Sequence, residues 1–304
     1  HVTGTLSFIT GGVQVYARRD YRELGDTPEG SLLVNSLAAQ EFGADHTDPY
    51  DVRSAGLAAR LGTALGMGWA LGVSYEEQGP AHVHAAPWNG AFEPTVPASS
   101  IREERLALDV DRPAGPALFG ATVHLHAQLR GGGFSSWRTI YGQGGNYFRR
   151  LFAEMDTDRP IGDDHVLTRT TFAAVGATHD VPPQEYVYLG GPVSGPGYDF
   201  HQFAAKIGAT EHIEWRMHVP FVPIALGSFG TSPASATFAP YVHVVYVSDG
   251  APFVDRARGW YPSVGAGLLV LFDLVRFDVA RGIRQGAGRW TFSFDVAPAL
   301  WRVL

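Results

Sequence analysis

Hydrophobic and polar positions alternate along most of this chain with the two-residue period of a β-strand. Between 206 and 219, Ile207, Ala209, Ile213, Trp215, Met217 and Val219 fall on one face. Thr210, His212, Glu214, Arg216 and His218 fall on the other, with Glu211 the single break in the apolar row. The stretch 121–130 repeats the pattern, setting Val123, Leu125, Ala127 and Leu129 against Thr122, His124, His126, Gln128 and Arg130. Near the C-terminus Trp290, Phe292, Phe294 and Val296 oppose Thr291, Ser293 and Asp295, and just upstream Val275, Phe277 and Val279 alternate with Arg276, Asp278 and Ala280. About fourteen segments read this way, near 2–10, 12–20, 30–41, 54–64, 67–77, 101–111, 117–130, 146–158, 165–178, 204–219, 236–248, 260–272, 274–284 and 288–301.

Length separates these strands from those of soluble proteins, which run to about five or six residues. Tilted strands that cross a bilayer need about 9–11. The connections alternate between short, as at 112–116, and long and rich in Gly, Pro and Asn, as at 78–100 and 179–203. Short turns at one rim and long loops at the other characterise outer-membrane barrels. Aromatics near strand ends (Tyr75, Trp137, Tyr147, Trp260, Tyr261, Trp290, Trp301) suit interfacial girdles. A soluble sandwich also alternates, but the strand lengths and the girdles favour lipid on the apolar face and a polar lumen. Closure follows, because lipid cannot satisfy an open edge. The expected fold is all-β, a transmembrane antiparallel β-barrel of about 14–16 strands. With no composition break, linker or repeat, residues 1–304 form a single domain.

Composition narrows the function classes. The 304 residues include no cysteine, which removes disulfide scaffolds, thiolate zinc sites, iron–sulfur clusters and cysteine nucleophiles. A net charge of -7 and a pI near 5.9 lack the basic footprint of a nucleic-acid binder. Lys206 is the only lysine, so arginine carries nearly all the positive charge. The most apolar run, 268–272, is cut off by Asp273 and is far short of the ~20 residues of a helical span. The chain begins at His1 without a charged-then-apolar leader, as expected for a processed precursor or the ordered part of a longer chain.

From about residue 117 onward the order of features resembles the BamA/TamA superfamily of outer-membrane barrels, the bacterial surface antigen family. The run from Tyr188 to Tyr198, with Gly190, Gly191, Ser194, Pro196 and Gly197, is similar to that family's signature loop, in which a Gly-Gly turn precedes a Ser-x-Arg-Gly-Tyr motif. The strand carrying Glu214 and Arg216 stands where the family places its next strand, and 263–268, 275–280 and 289–294 resemble its last three. Phe292, Phe294 and Trp301 match the terminal insertion signal, with three residues following Trp301. In the family the loop arginine pairs in the lumen with an aspartate of a later strand. Here Pro196 holds the arginine position and His243, in the segment 239–243, the aspartate position; a second alignment through 251–255 would keep Asp255. On the first alignment both ends of the pair are replaced together, which can be nearly neutral where losing one would strand a buried charge.

Other constellations are weaker. His82 and His84, and His124 and His126, each place two imidazoles on one side, a spacing able to chelate a metal but equally that of solvated loop and lumen residues. The acidic runs 45–48 and 163–165 lack the spaced ligands of a calcium loop and read as turns. The Ser194 context lacks the spacing of a nucleophile elbow, and neither a phosphate-binding loop nor a dinucleotide fingerprint occurs. Arg105, Arg130, one of Arg149 and Arg150, Glu154, Arg169, Glu214, Arg216, Arg276 and Asp278 are expected to line the lumen as ion pairs, with 179–203 folded inward as a plug. The resemblance implies no enzyme and no cofactor. It implies a barrel of the bacterial outer membrane acting as membrane anchor or assembly/translocation component, with lipid and a periplasmic or surface protein, or an upstream domain, as partners. A passive diffusion pore and an adhesive surface protein are the alternatives.

Overall fold

The computed structural model describes residues 5–10, 12–43, 45–64, 66–81, 87–89, 96, 98–135, 147–177, 181–227, 230–254 and 257–297. Its strands are β1 (Thr5–Thr10), β2 (Val13–Glu23), β3 (Pro49–Ala64), β4 (Met67–Pro80), β5 (Ile101–Pro116), β6 (Thr122–Ser135) and β7 (Tyr147–Ile161). They continue with β8 (Asp164–Ala177), β9 (Val187–Leu189), β10 (Phe203–Pro220), β11 (Ser235–Gly250), β12 (Gly259–Val270), β13 (Val275–Gly282) and β14 (Trp290–Val296). One helix, α1 (Leu32–Phe42), lies between β2 and β3. Each wall strand pairs antiparallel with its neighbour in chain order, from β1 through β8 and then β10 to β14; β9 is off this path and pairs only with β10.

Fourteen strands are thus described, thirteen of which build the wall. The segment 30–41, read above as a strand, is corrected to α1. Its Leu, Ala, Gln and Glu are good helix formers and its apolar residues cluster instead of alternating. Gly43, at φ 72°, ends it in the left-handed conformation, donating its N–H back to Ala38 and Ala39.

Connections alternate as expected. The turns after β1, β3, β5, β7 and β12 span five residues or fewer, and those after β2, β4, β6, β8, β11 and β13 are longer. Only 221–234, between β10 and β11, is long on the short-turn rim.

The two faces are inverted relative to a water-soluble protein. Leu57, Val73, Leu106, Leu129, Trp215 and Phe277 are exposed on the outside, whereas Glu76, Glu103, Arg150, Glu214 and His243 are buried inside. Curvature brings distant strands together across the interior: the Ser31 N–H donates to Asp295 Oδ1 on β14 at 3.0 Å, and Gly197 N–H to Thr291 Oγ1 at 2.9 Å. Apolar packing occurs where long loops meet the inner wall. There Tyr186, Tyr188 and Val181 lie against Tyr50, Val52 and Phe148, and Val187, Leu189 and Tyr198 against Val245, Val247 and Tyr261. These features define a transmembrane β-barrel with segments folded into its lumen from the long-loop rim; the closure expected from the sequence is not reached, since β1 and β14 do not pair among the described residues.

Candidate functional site: the plugged lumen

Two segments fold inward. One is 24–43 with 45–48, which carries α1; the other is 181–202, which carries β9 and the run from Gly190 to Tyr198. The second segment is held at two levels.

At the upper level, near the long-loop rim, the contacts are between charges. Arg105 on β5 is buried among Glu103 on its own strand (2.8 Å), Glu76 on β4 (3.4 Å) and Glu185 of the inward segment (3.3 Å). The other Glu185 oxygen accepts from Arg130 on β6 at 3.0 Å. Arg22 on β2 forks onto Glu76 at 2.8 and 3.0 Å, a bidentate geometry that fixes orientation as well as charge. Arg150 on β7 pairs with Asp26, from the other inward segment. Gln184 completes the layer, receiving the Ser99 N–H at 3.0 Å and donating to Ser99 O at 2.9 Å and Gln78 Oε1 at 3.1 Å. Between Arg149 and Arg150, the lumen residue is Arg150; Arg149 points outward.

Lower down, the wall charges pair with one another. Glu214 on β10 accepts from Arg276 at 2.6 Å and Arg216 at 2.6 Å, and Arg276 also forks onto Asp278 at 2.6 and 2.8 Å. The loop meets this wall through neutral groups. His243 on β11, buried, faces Ser194 O through Nε2 at 3.2 Å and His212 through Nδ1 at 3.3 Å. Glu29 arrives from the first inward segment and accepts the Val193 N–H at 2.7 Å and the Ser194 N–H at 3.1 Å. Burial pushes the Glu29 carboxyl above the ordinary carboxylate range, while the Ser194 and Val193 hydrogen bonds pull it back.

Local sequence makes this loop possible. Gly191 has φ 122°, and a Cβ there would meet Glu29 Oε2 at 2.8 Å, so only glycine lets the carboxylate reach the amides. Gly197, at φ 88°, packs its backbone on Gly282 of β13, where a Cβ would lie 2.3 Å from the Gly282 nitrogen. Gly190 donates its N–H to Ser194 Oγ at 3.0 Å, and Tyr198 donates from its hydroxyl to Pro262 O at 2.7 Å. Pro196 faces a cavity of about 1110 Å³, shared by α1 and the lower wall with Glu214, Arg216 and His243.

Of the remaining sequence candidates, Phe292 and Phe294 are exposed on the outer face of β14, and Trp301 lies outside the described residues. Trp260, Trp290 and Tyr147 are exposed at strand ends, whereas Tyr75, also exposed, is corrected to the middle of β4; Trp137 is outside the described residues. Tyr261 is corrected from girdle to interior, because it packs on Tyr198 and Phe203. His124 stands with Glu154 and Asp156 in a grouping able to hold a metal ion, although Asp156 is already engaged by Arg169 at 2.7 Å. His82, His84 and Asp255 lie outside the described residues. Asp45 accepts from Asn35 and Thr47 in a turn, and Asp48 pairs with His201 of the inward segment at 2.6 Å. Sequence reasoning missed Glu29, Asp26, Gln184 and Glu185. Polar side chains in long loops carry no periodicity, and on the wall Arg105 was expected in the lumen but its partners Glu76 and Glu103, and Gln78 beside them, were not named.

Inward-folded loops inside an antiparallel transmembrane wall define the class. The particular fold is that of the BamA and CdiB barrels. BamA from Haemophilus ducreyi lacking POTRA domains 1-3 superposes with a TM-score of 0.58 over 95% of this chain and 60% of that one, at 12% identity. CdiB from Acinetobacter baumannii and CdiB from Escherichia coli each give a TM-score of 0.52 over 95% of this chain, at 14% identity, covering 48% and 51% of theirs. The chain therefore spans less than two thirds of the length of these structures. No family model matches the sequence, and no curated protein matches it.

Proposed function

We propose that this chain acts in a bacterial outer membrane as a barrel closed from within, serving as a membrane anchor or an assembly/translocation component and not as an enzyme. The carrying observation is the attachment of segment 181–202, through Glu185 above and through Ser194 and Val193 below, to groups on other elements. The likeness in fold to BamA and CdiB supports the same setting. Pro196 and His243 replace both ends of the family's ion pair, and the loop uses backbone contacts in its place. The partners in this reading are lipid and a protein that engages the loops or a neighbouring domain.

A passive diffusion pore is the second reading, favoured by the cavity of about 1110 Å³ in the lower lumen. Single-channel recording in planar bilayers separates the two. A closed barrel gives a silent baseline with brief, small events, and deletion of Leu32–Phe42 raises conductance. Large, steady, ohmic openings from the intact chain would select the pore.

A further inference from the structure

The inner wall of β5–β8, below Arg105 and its carboxylates, collects acids and imidazoles that play no part in anchoring the inward segments. Among the described residues of this patch five carboxylates, Asp109, Asp111, Glu154, Asp156 and Asp158, share one guanidinium, that of Arg169. Two of the acids are engaged elsewhere: Asp109 accepts from Gln128 at 2.6 Å, and Asp158 meets His165 at 2.7 Å. Glu154 has neither a hydrogen bond nor an ion pair among the described residues. Half-buried negative charge in this excess is stabilised by a cation, whether a side chain or a metal ion.

Strand register sets the geometry. Antiparallel pairing places His124 directly opposite Asp156, and Glu154, two residues away along β7, opposite His126. His124, Glu154 and Asp156 each bring one ligand atom within 4.8 Å of the other two. His124 Nδ1 stands 3.6 Å from Asp156 Oδ2. That is too long for an N–H···O hydrogen bond, which spans about 2.7–3.2 Å. It is close to the separation of roughly 3.4 Å between an imidazole nitrogen and a carboxylate oxygen bound to one tetrahedral zinc ion. The other ring nitrogen, Nε2, lies 3.3 Å from Asp111 Oδ1 on β5. A proton on Nε2, donated to Asp111, leaves the Nδ1 lone pair facing β7, the carboxylate–histidine–metal arrangement that orients a metal-binding imidazole. Asp156 is steadied from its far side, where Arg169 of β8 donates to Oδ1 at 2.7 Å and reaches Oδ2 only at 3.4 Å.

We propose that His124, Glu154 and Asp156 form a binding site for a divalent transition ion of the zinc class, with Asp111 and Arg169 as positioning residues. One imidazole with two carboxylates suits such an ion, whereas calcium takes about six to eight oxygens. Three protein ligands leave the fourth position of a tetrahedral ion open. His124 and Asp156 both line the lumen cavity, so the open position faces space that water or an anionic group can enter. The site depends on the register of β5–β8 and holds equally for an anchor and for a pore.

The test uses the intact chain in detergent, treated with chelator and then dialysed free of it. Calorimetric titration with Zn²⁺ should show one site per chain, and Co²⁺ should give the intense visible bands of four-coordinate cobalt. His124→Gln and Glu154→Gln are each expected to abolish that site. Asp111→Asn should weaken Zn²⁺ binding by about 10–100-fold, while His165→Ala, whose native imidazole pairs with Asp158, should leave it unchanged. A folded parent chain that takes up no stoichiometric Zn²⁺ overturns the proposal whatever the variants do. One-to-one binding that survives both His124→Gln and Glu154→Gln, or that disappears in His82→Ala with His84→Ala, assigns the ion to other groups and overturns it as well. Either result leaves the choice between anchor and pore to the conductance recording.

Discussion

The same inward segment is anchored in two chemically different ways. Above, Glu185 enters a cage of arginines, so loop and wall are joined by ion pairs. Below, the wall carboxylates and arginines satisfy one another, and the loop is joined by a carbonyl, a neutral imidazole contact and two amides on Glu29. Below, the wall needs no loop to stay electrically complete. Above, removing the loop takes from Arg130 the carboxylate that holds it and from Arg105 one of three, with Glu76 and Glu103 remaining. The upper anchor is therefore the more costly to break, and the lower one is the natural place for release.

Glu185→Ala gives the largest expected effect. It removes a buried carboxylate from the half-buried Arg130 and from the buried Arg105, which keeps Glu76 and Glu103, a change worth up to about 3–5 kcal/mol. Thermal unfolding in detergent should fall accordingly, with little change between low and high salt, since buried pairs are weakly screened. An effect below about 1 kcal/mol would put the two anchors on an equal footing.

Glu29→Ala comes next. The buried Ser194 N–H and the half-buried Val193 N–H lose their acceptor, at about 1–3 kcal/mol, and the loss should be local. Hydrogen exchange at 190–198 accelerates while exchange in the β10–β11 ladder stays unchanged. The pH dependence sharpens this. Because the docked carboxyl is raised, the docked state holds its proton more tightly than the hydrated carboxyl of a released loop. Docking is then strongest below the ordinary carboxylate pKa of ~4.3 and weakens as pH rises through the raised value. Exchange at 190–198, corrected for its intrinsic rate, should rise across that window in the parent chain and lose the dependence in Glu29→Gln.

The smallest effect is expected from restoring the family pair. In Pro196→Arg with His243→Asp, a carboxylate at 243 would face the Ser194 carbonyl, which offers no hydrogen. The two changes should couple by less than about 2 kcal/mol in a double-mutant cycle. A larger coupling would mean that the family's clasp geometry survives beneath the altered residues.

The wall was legible in the sequence because a period of two is a long-range signal repeated in every strand. Ile213 and His212 could be assigned to opposite faces without coordinates. The glycine-rich run from Gly190 to Tyr198 stood out too, through its resemblance to a signature loop, although why Gly191 and Gly197 must be glycine is shown only by their positive φ and close neighbours. The helix was not. A two-residue period says nothing of a short helix, whose Val34, Leu37, Ala38 and Glu41 line the lumen cavity at helical spacing. The loop acids Glu29 and Glu185 were also hidden, because their roles depend on which wall strand they meet across the barrel, and local spacing carries no information about that.

The central claim is that water meets the polar face of each strand and lipid the apolar face. His212 and Ile213, adjacent on β10, test it directly, since one lines the lumen cavity and the other is exposed on the outer wall. In proteoliposomes a small aqueous maleimide should modify His212→Cys, and Ile213→Cys should resist it until detergent is added. Rapid modification at 213 with protection at 212 would contradict the account.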